Sequence, residues 1–136
     1  MTRRGQSLVE LAIVLPLLVL LALGGVQFVR LAIARSGLDA ATAAGASAAA
    51  RATSATTAAT AGRLAFTSIA TGYGLGSTAR VTIDAGSFLR GGTVTATGTA
   101  PIALGQTGVP ALRVNWLLTS TATARIEDWR SRPPGS

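Results

Sequence analysis

The sequence predicts an α+β chain: a long N-terminal membrane-spanning α-helix followed by a small antiparallel β-sheet of about three strands. Three observations point there. Leu8 to Val29 is a run of 22 residues whose only charge is Glu10. Residues 40–61 are rich in Ala, the best helix former. From Arg80 onward apolar and polar residues alternate, which is the period of a half-buried strand. With 136 residues, 49% apolar but only 4% aromatic, the chain can hold one small domain, or a membrane segment plus a smaller one. A large aromatic-centred core is excluded.

The first helix follows from length and covering. As a helix the apolar run reaches roughly 33 Å, against a hydrocarbon core of about 30 Å. A chain this small has nothing with which to sheath a helix that is apolar on every side. Pro16 lies inside the run and removes one backbone hydrogen bond, a loss that membrane helices tolerate. Arg3, Arg4 and the amino terminus precede the span, while Arg30 and Arg35 follow it, so the basic-side count barely favours a cytoplasmic N-terminus.

Beyond the span, residues 31–63 form an Ala-rich extramembrane half. Positions 31, 34, 38, 41, 45, 48, 52, 55 and 59 alternate three and four apart without a polar residue, describing a narrow seam of small side chains for close approach by a helix or a sheet. If both halves are one helix from Ser7 to Gly62, it reaches roughly 84 Å. Gly24–Gly25, Gly37 and Gly45 are the expected bends if continuity fails.

Residues 64–130 are expected to form a small β-rich domain. Gly72, Gly74 and Gly76 mark a loop. Arg80–Asp84, Thr93–Thr97 and Leu118–Ile126 read as strands, residues 100–112 with their two Pro and two Gly as a loop, and residues 131–136 as a flexible tail. Three short strands are marginal alone, so their covered face is expected to pack on the Ala-rich helix.

Composition also excludes chemistry. With no Cys and no His there are no disulfides, thiolate nucleophiles, or thiolate or imidazole metal sites, and no cofactor is expected. Of the acids Glu10, Asp39, Asp84, Glu127 and Asp128, only the last two are neighbours, and adjacent residues do not face each other as a catalytic dyad must. All twelve basic residues are Arg, giving a net charge of +7. Arg51, Arg63, Arg80, Arg90, Arg113 and Arg125 stand apart with no interleaved aromatics, so a solvated surface is expected rather than a nucleic-acid site. Trp116 and Trp129 read as packing or interface residues. The Gly72-Tyr-Gly-Leu-Gly76 stretch lacks the preceding strand, the following helix and the Lys of a phosphate loop.

The informative segment is Arg3-Arg-Gly-Gln-Ser-Leu-Val-Glu-Leu-Ala-Ile-Val-Leu-Pro-Leu-Leu. It resembles the TadE-like family of pseudopilins and minor pilins of tight-adherence (Tad/Flp) type IV pilus systems. Members open with a basic leader, a Gly before the cleavage point, a Glu five residues beyond it, and an apolar run with a Leu-Pro pair. The matching residues here are Arg3 and Arg4, Gly5, Gln6, Glu10 and Leu15–Pro16, and Thr119–Glu127 is similar to the family's closing strand. Leu11 stands where members often carry an aromatic.

The resemblance implies a pilin-like fold and a non-enzymatic role. Residues 1–5 would be a leader removed by a prepilin peptidase on the cytoplasmic side, leaving residues 6–30 as the transmembrane half of the helix, with Gln6 first. The protein would sit in the bacterial inner membrane as a single pass, N-terminus inside, and then in the surface pilus. Its implied partners are other pilins and pseudopilins, the inner-membrane assembly platform and the lipid bilayer, with no nucleic acid.

Glu10 carries the mechanism in this reading. Insertion costs of roughly 2.5–3.5 kcal/mol apply to Asp at a membrane helix centre, and less near the interface, so the carboxylate asks for a partner. The freed amine of Gln6 on a neighbouring subunit supplies one: four residues are about 6 Å along the axis, so a stagger near one turn joins amine and carboxylate. Alternatively Ser7-Leu-Val-Glu10 is a capping box. Pro16 reads either as a simple helix kink or as a point of local melting during extraction from the bilayer. Two rival functions stand beside this one: an exported protein with an ordinary signal peptide cut near Ala22-Leu-Gly24, or a plain single-span anchored surface protein. A membrane enzyme lacks any recognisable catalytic set.

Overall fold

The computed structural model describes residues 3–104 and 114–127, the side chains of Arg3 and Arg4 excepted. The elements are helices α1 (Arg3–Ala50) and α2 (Ala55–Gly72), a 3-10 turn Gly76–Thr78, and strands β1 (Arg80–Asp84), β2 (Thr93–Leu104) and β3 (Val114–Arg125). The α+β class and the three-stranded antiparallel sheet match the sequence expectation. The chain divides into two compact units, Met1–Ala32 and Ile33–Ser136.

The first unit is helical throughout its described residues, and Pro16 and the Gly24–Gly25 pair leave the helix uninterrupted. Its large apolar side chains face outward, from Leu8 through Phe28 and Val29. None of the most apolar window of α1 is buried within the chain, and that helix is long and apolar enough to cross a membrane.

The second unit begins within α1. The expected helix to Gly62 ends instead at Ala50, and the break falls at residues 51–54 rather than at Gly37 or Gly45. The cause is hydroxyl chemistry. Ser54 adopts an extended backbone (φ −148°, ψ 163°) and accepts from Thr57 N, while Thr57 Oγ1 accepts from Ser54 N. This capping box starts a new helix, because Ser and Thr side chains offer the backbone an alternative to continuing the old one. Residues 64–72, expected within the β-rich region, are therefore the second half of α2.

The two helices form an antiparallel hairpin whose contact surface is nearly bare backbone. A Cβ added to Gly62 would meet Gly45 O at 3.0 Å and Ile83 Cδ1 at 2.9 Å, and one on Gly37 would strike the Tyr73 ring at 2.6 Å. The buried residues of α1 in this unit are Gly37, Leu38, Ala41, Thr42, Gly45, Ala46, Ala49 and Ala50. The expected seam is thus correct at 38, 41 and 45, half-buried at 48, and lost at Ala55, which is exposed. Thr42 is buried without cost to hydrogen bonding, since its Oγ1 donates to Leu38 O at 2.7 Å.

The sheet lies on this hairpin as the alternation requires. Val94, Ala96, Gly98 and Ala100 of β2 and Leu118 and Ser120 of β3 are buried, with Val81 and Ile83 of β1 half-buried on the same face. A Cβ on Gly98 would overlap Thr42 Oγ1 and crowd Leu38 and Phe66, so β2 touches both helices. Val94 and Ile126 close the other end against Ala49, Ala50 and Ala58. β1 has the expected bounds, whereas β2 and β3 are longer than expected. Ala100–Leu104, read as loop, pair with Val114–Leu118. Pro101 is accommodated because β1 stops at the Arg80–Thr99 pair, leaving only β3 beside it. The rest of the expected loop, together with Asp128, Trp129 and the tail 131–136, lies outside the described residues.

Candidate functional site

The residues singled out at the N-terminus occupy the first turns of α1. Gly5 lies inside the helix, and a Cβ placed on it would meet nothing within 4 Å. Gln6 and Glu10 are both exposed, four residues apart on one helical face. That spacing places them about 6 Å apart along the axis. Arg35 and Asp39 form an ion pair at 3.3 Å along the same helix, and among the described residues Glu10 has no such partner. The Arg3 and Arg4 side chains lie outside the described residues, although their backbone is helical. Ser7 cannot act as a helix cap while α1 is already under way from Arg3, so the capping-box reading of Ser7 and Glu10 fails for the uncut chain.

The arrangement offers one acidic group, Glu10, at the head of an uncovered apolar rod. Phe28 is 72% exposed, Leu21 72% and Leu8 69%, values that an aqueous protein of this size does not sustain over five turns. Such a surface is chemically suited to lipid or to other apolar helices, and the acid at its start is suited to a cation.

The fold also gathers residues that are solitary in the sequence. Ser47, Ala50, Arg51, Ala124, Arg125 and Glu127 line an open cleft of about 190 Å³. Here the end of α1 meets the end of β3, so Arg51, Arg125 and Glu127, from distant segments, line one cleft. Nothing local in the sequence signals this. Among the described residues no group of three His, Cys, Asp or Glu is placed to hold a metal ion. Trp116, opposite Ile102 on the β2–β3 hairpin, is half exposed.

No curated protein and no solved structure matches the chain. The family signature instead lies in the helix that carries Gly5, Gln6, Glu10 and Pro16 and stops short of the sheet: residues 5–47 match the family model of the TadE-like proteins.

Proposed function

We propose that this protein is a membrane-inserted pseudopilin or minor pilin that assembles with other pilins in a Tad-type pilus, taking part in pilus biogenesis and surface adherence. The observation that carries the reading is the placement of Gly5, Gln6 and Glu10 at the head of an uncovered apolar helix within the TadE-like match. Its role is structural rather than catalytic.

In this proposal Arg3 and Arg4 hold the leader at the cytoplasmic face, and a prepilin peptidase cuts between Gly5 and Gln6. Gly5 has no side chain to obstruct approach to the scissile backbone. Removal of residues 1–5 creates an ammonium at Gln6. Glu10 of a neighbouring subunit, staggered by about one turn, receives it as a charge-assisted hydrogen bond in a low-dielectric setting. Burial of that pair fixes the register of addition, while the apolar run exchanges lipid for neighbouring helices. Pro16 lowers the local cost of leaving helical geometry during that transfer.

Intact mass of the protein from its native membrane tests the processing step. Loss of residues 1–5 supports it; loss of about 24 residues indicates an ordinary signal peptidase, and an uncut chain a plain anchor. Glu10→Gln tests the assembly step: the variant is cut normally but is absent from sheared filaments. Normal incorporation removes Glu10 from the mechanism.

A further inference from the structure

Along the β2–β3 hairpin the side chains change character at one level. On the face turned away from the helices, Thr95, Thr97 and Thr99 lie beside Thr123, Thr121 and Thr119 as rows of hydroxyls. Beyond them Pro101 pairs with Leu117 on that face, and Ile102 with Trp116 on the other. The paired stretches 100–104 and 114–118 carry no charge, and Asn115 is their sole polar side chain. Val114 is 49% exposed, Trp116 53% and Leu117 68%.

The packing of β2 on α1 fixes which end of the second unit this is. Val94 clusters with Ala49 and Ala50, and Gly98 lies against Leu38 and Thr42. Four strand residues, about 13 Å, thus match about 14 Å of helix, so β2 runs nearly along α1 and opposite to it. From Gly98 to Leu104 the strand continues about 20 Å, whereas the helix from the Leu38–Thr42 turn back to Ile33 is about 10 Å. The apolar end of the hairpin therefore reaches the end of the unit at which the chain enters. Ile33, the first residue there, follows Val29, the last of the apolar run, by four positions.

We propose that this end of the hairpin is an interfacial membrane contact, with Trp116 and Leu117 seated among the headgroups and upper acyl chains of the bilayer that the apolar run crosses. A strand end that is apolar on both faces offers water little to solvate. An indole suits such a boundary, because its body meets hydrocarbon while its N–H stays wet. Connectivity selects lipid over a protein partner, since a unit tethered this closely to the span meets the membrane surface at high effective concentration. The contact holds the second unit on the membrane until the span is withdrawn. It rests on the membrane-inserted part of the functional reading, and is independent of leader removal and of Glu10.

Full-length Trp129→Phe protein, in which Trp116 is the one remaining indole, is reconstituted in phosphatidylcholine vesicles, and its resistance to alkaline extraction is measured first. The expected emission is blue-shifted from that of a hydrated indole, loses most of its intensity when the lipid carries bromine on the upper acyl chain, and is poorly quenched by acrylamide. A second protein, with Trp116→Phe, Trp129→Phe and Thr123→Trp, moves the indole about 23 Å along β3 to an exposed position. It is expected to show the converse, quenching by acrylamide and not by brominated lipid, with the circular dichroism spectrum of the parent. Quenching of Trp116 by acrylamide without quenching by brominated lipid overturns the proposal. So does shielding from both, which marks cover by protein, whether from the same chain or a second copy. Release by alkali sinks the membrane reading and this contact together, whereas alkali resistance with a hydrated Trp116 sinks the contact alone.

Discussion

At Gly98 one hydrogen atom decides whether the sheet can lie on the helices. A side chain there would occupy the space of Thr42 Oγ1 and press on Phe66 and Leu38. Gly98→Val is expected to cost about 1–3 kcal/mol through overpacking, read as a lower thermal midpoint of the full chain in detergent. The same substitution at Gly24, which faces open space, leaves that midpoint nearly unchanged. Ser54 is the second decisive residue, because its hydroxyl starts α2. Ser54→Ala is expected to lose about 0.5–2 kcal/mol, measured in the same way.

Among the elements, α2 shows how packing can hide from a periodicity search. Its buried residues Ala58, Gly62, Phe66 and Ala70 recur every fourth position, a stripe legible in hindsight. Ala and Gly, however, give almost no contrast with their Ala and Thr neighbours, and the break at residues 51–54 rests on two hydroxyls rather than on a Pro or Gly. By contrast β1 was legible to its bounds because Val81 and Ile83 alternate with Arg80, Thr82 and Asp84. The extension of β2 past Ala100 was hidden by Pro101, a residue that breaks a central strand but not one with a single neighbour. Phe66 is the largest buried side chain, and Phe66→Ala is expected to cost about 3–5 kcal/mol. Leu64→Ala, on the exposed side of the same helix, stays within about 0.5 kcal/mol.

For the molecule as a whole, the apolar rod decides where the protein resides. An Arg at the middle of such a span raises the insertion free energy by about 2.5–3.5 kcal/mol. Leu20→Arg is therefore expected to shift protein from the alkali-resistant membrane fraction into the extractable one, measured by immunoblot of the two fractions. The N-terminal residues of interest were legible because their spacing is local: Gly5, Gln6 and Glu10 fall within six consecutive positions. The cleft that joins Arg51 to Arg125 and Glu127 was not, since only the pairing of β3 beside β2 carries those residues to the end of α1.

An interior assembled from methyl groups and bare peptide has a thermal signature of its own. Exposure of hydrocarbon to water is what raises heat capacity on melting, ordinarily by about 12–15 cal/mol/K per residue. The Gly45–Gly62 crossing and the alanines around it release little hydrocarbon, so the increment measured by scanning calorimetry should fall below that range. The stability curve then becomes shallow, and chilling weakens the second unit less than it weakens one filled with leucine and phenylalanine.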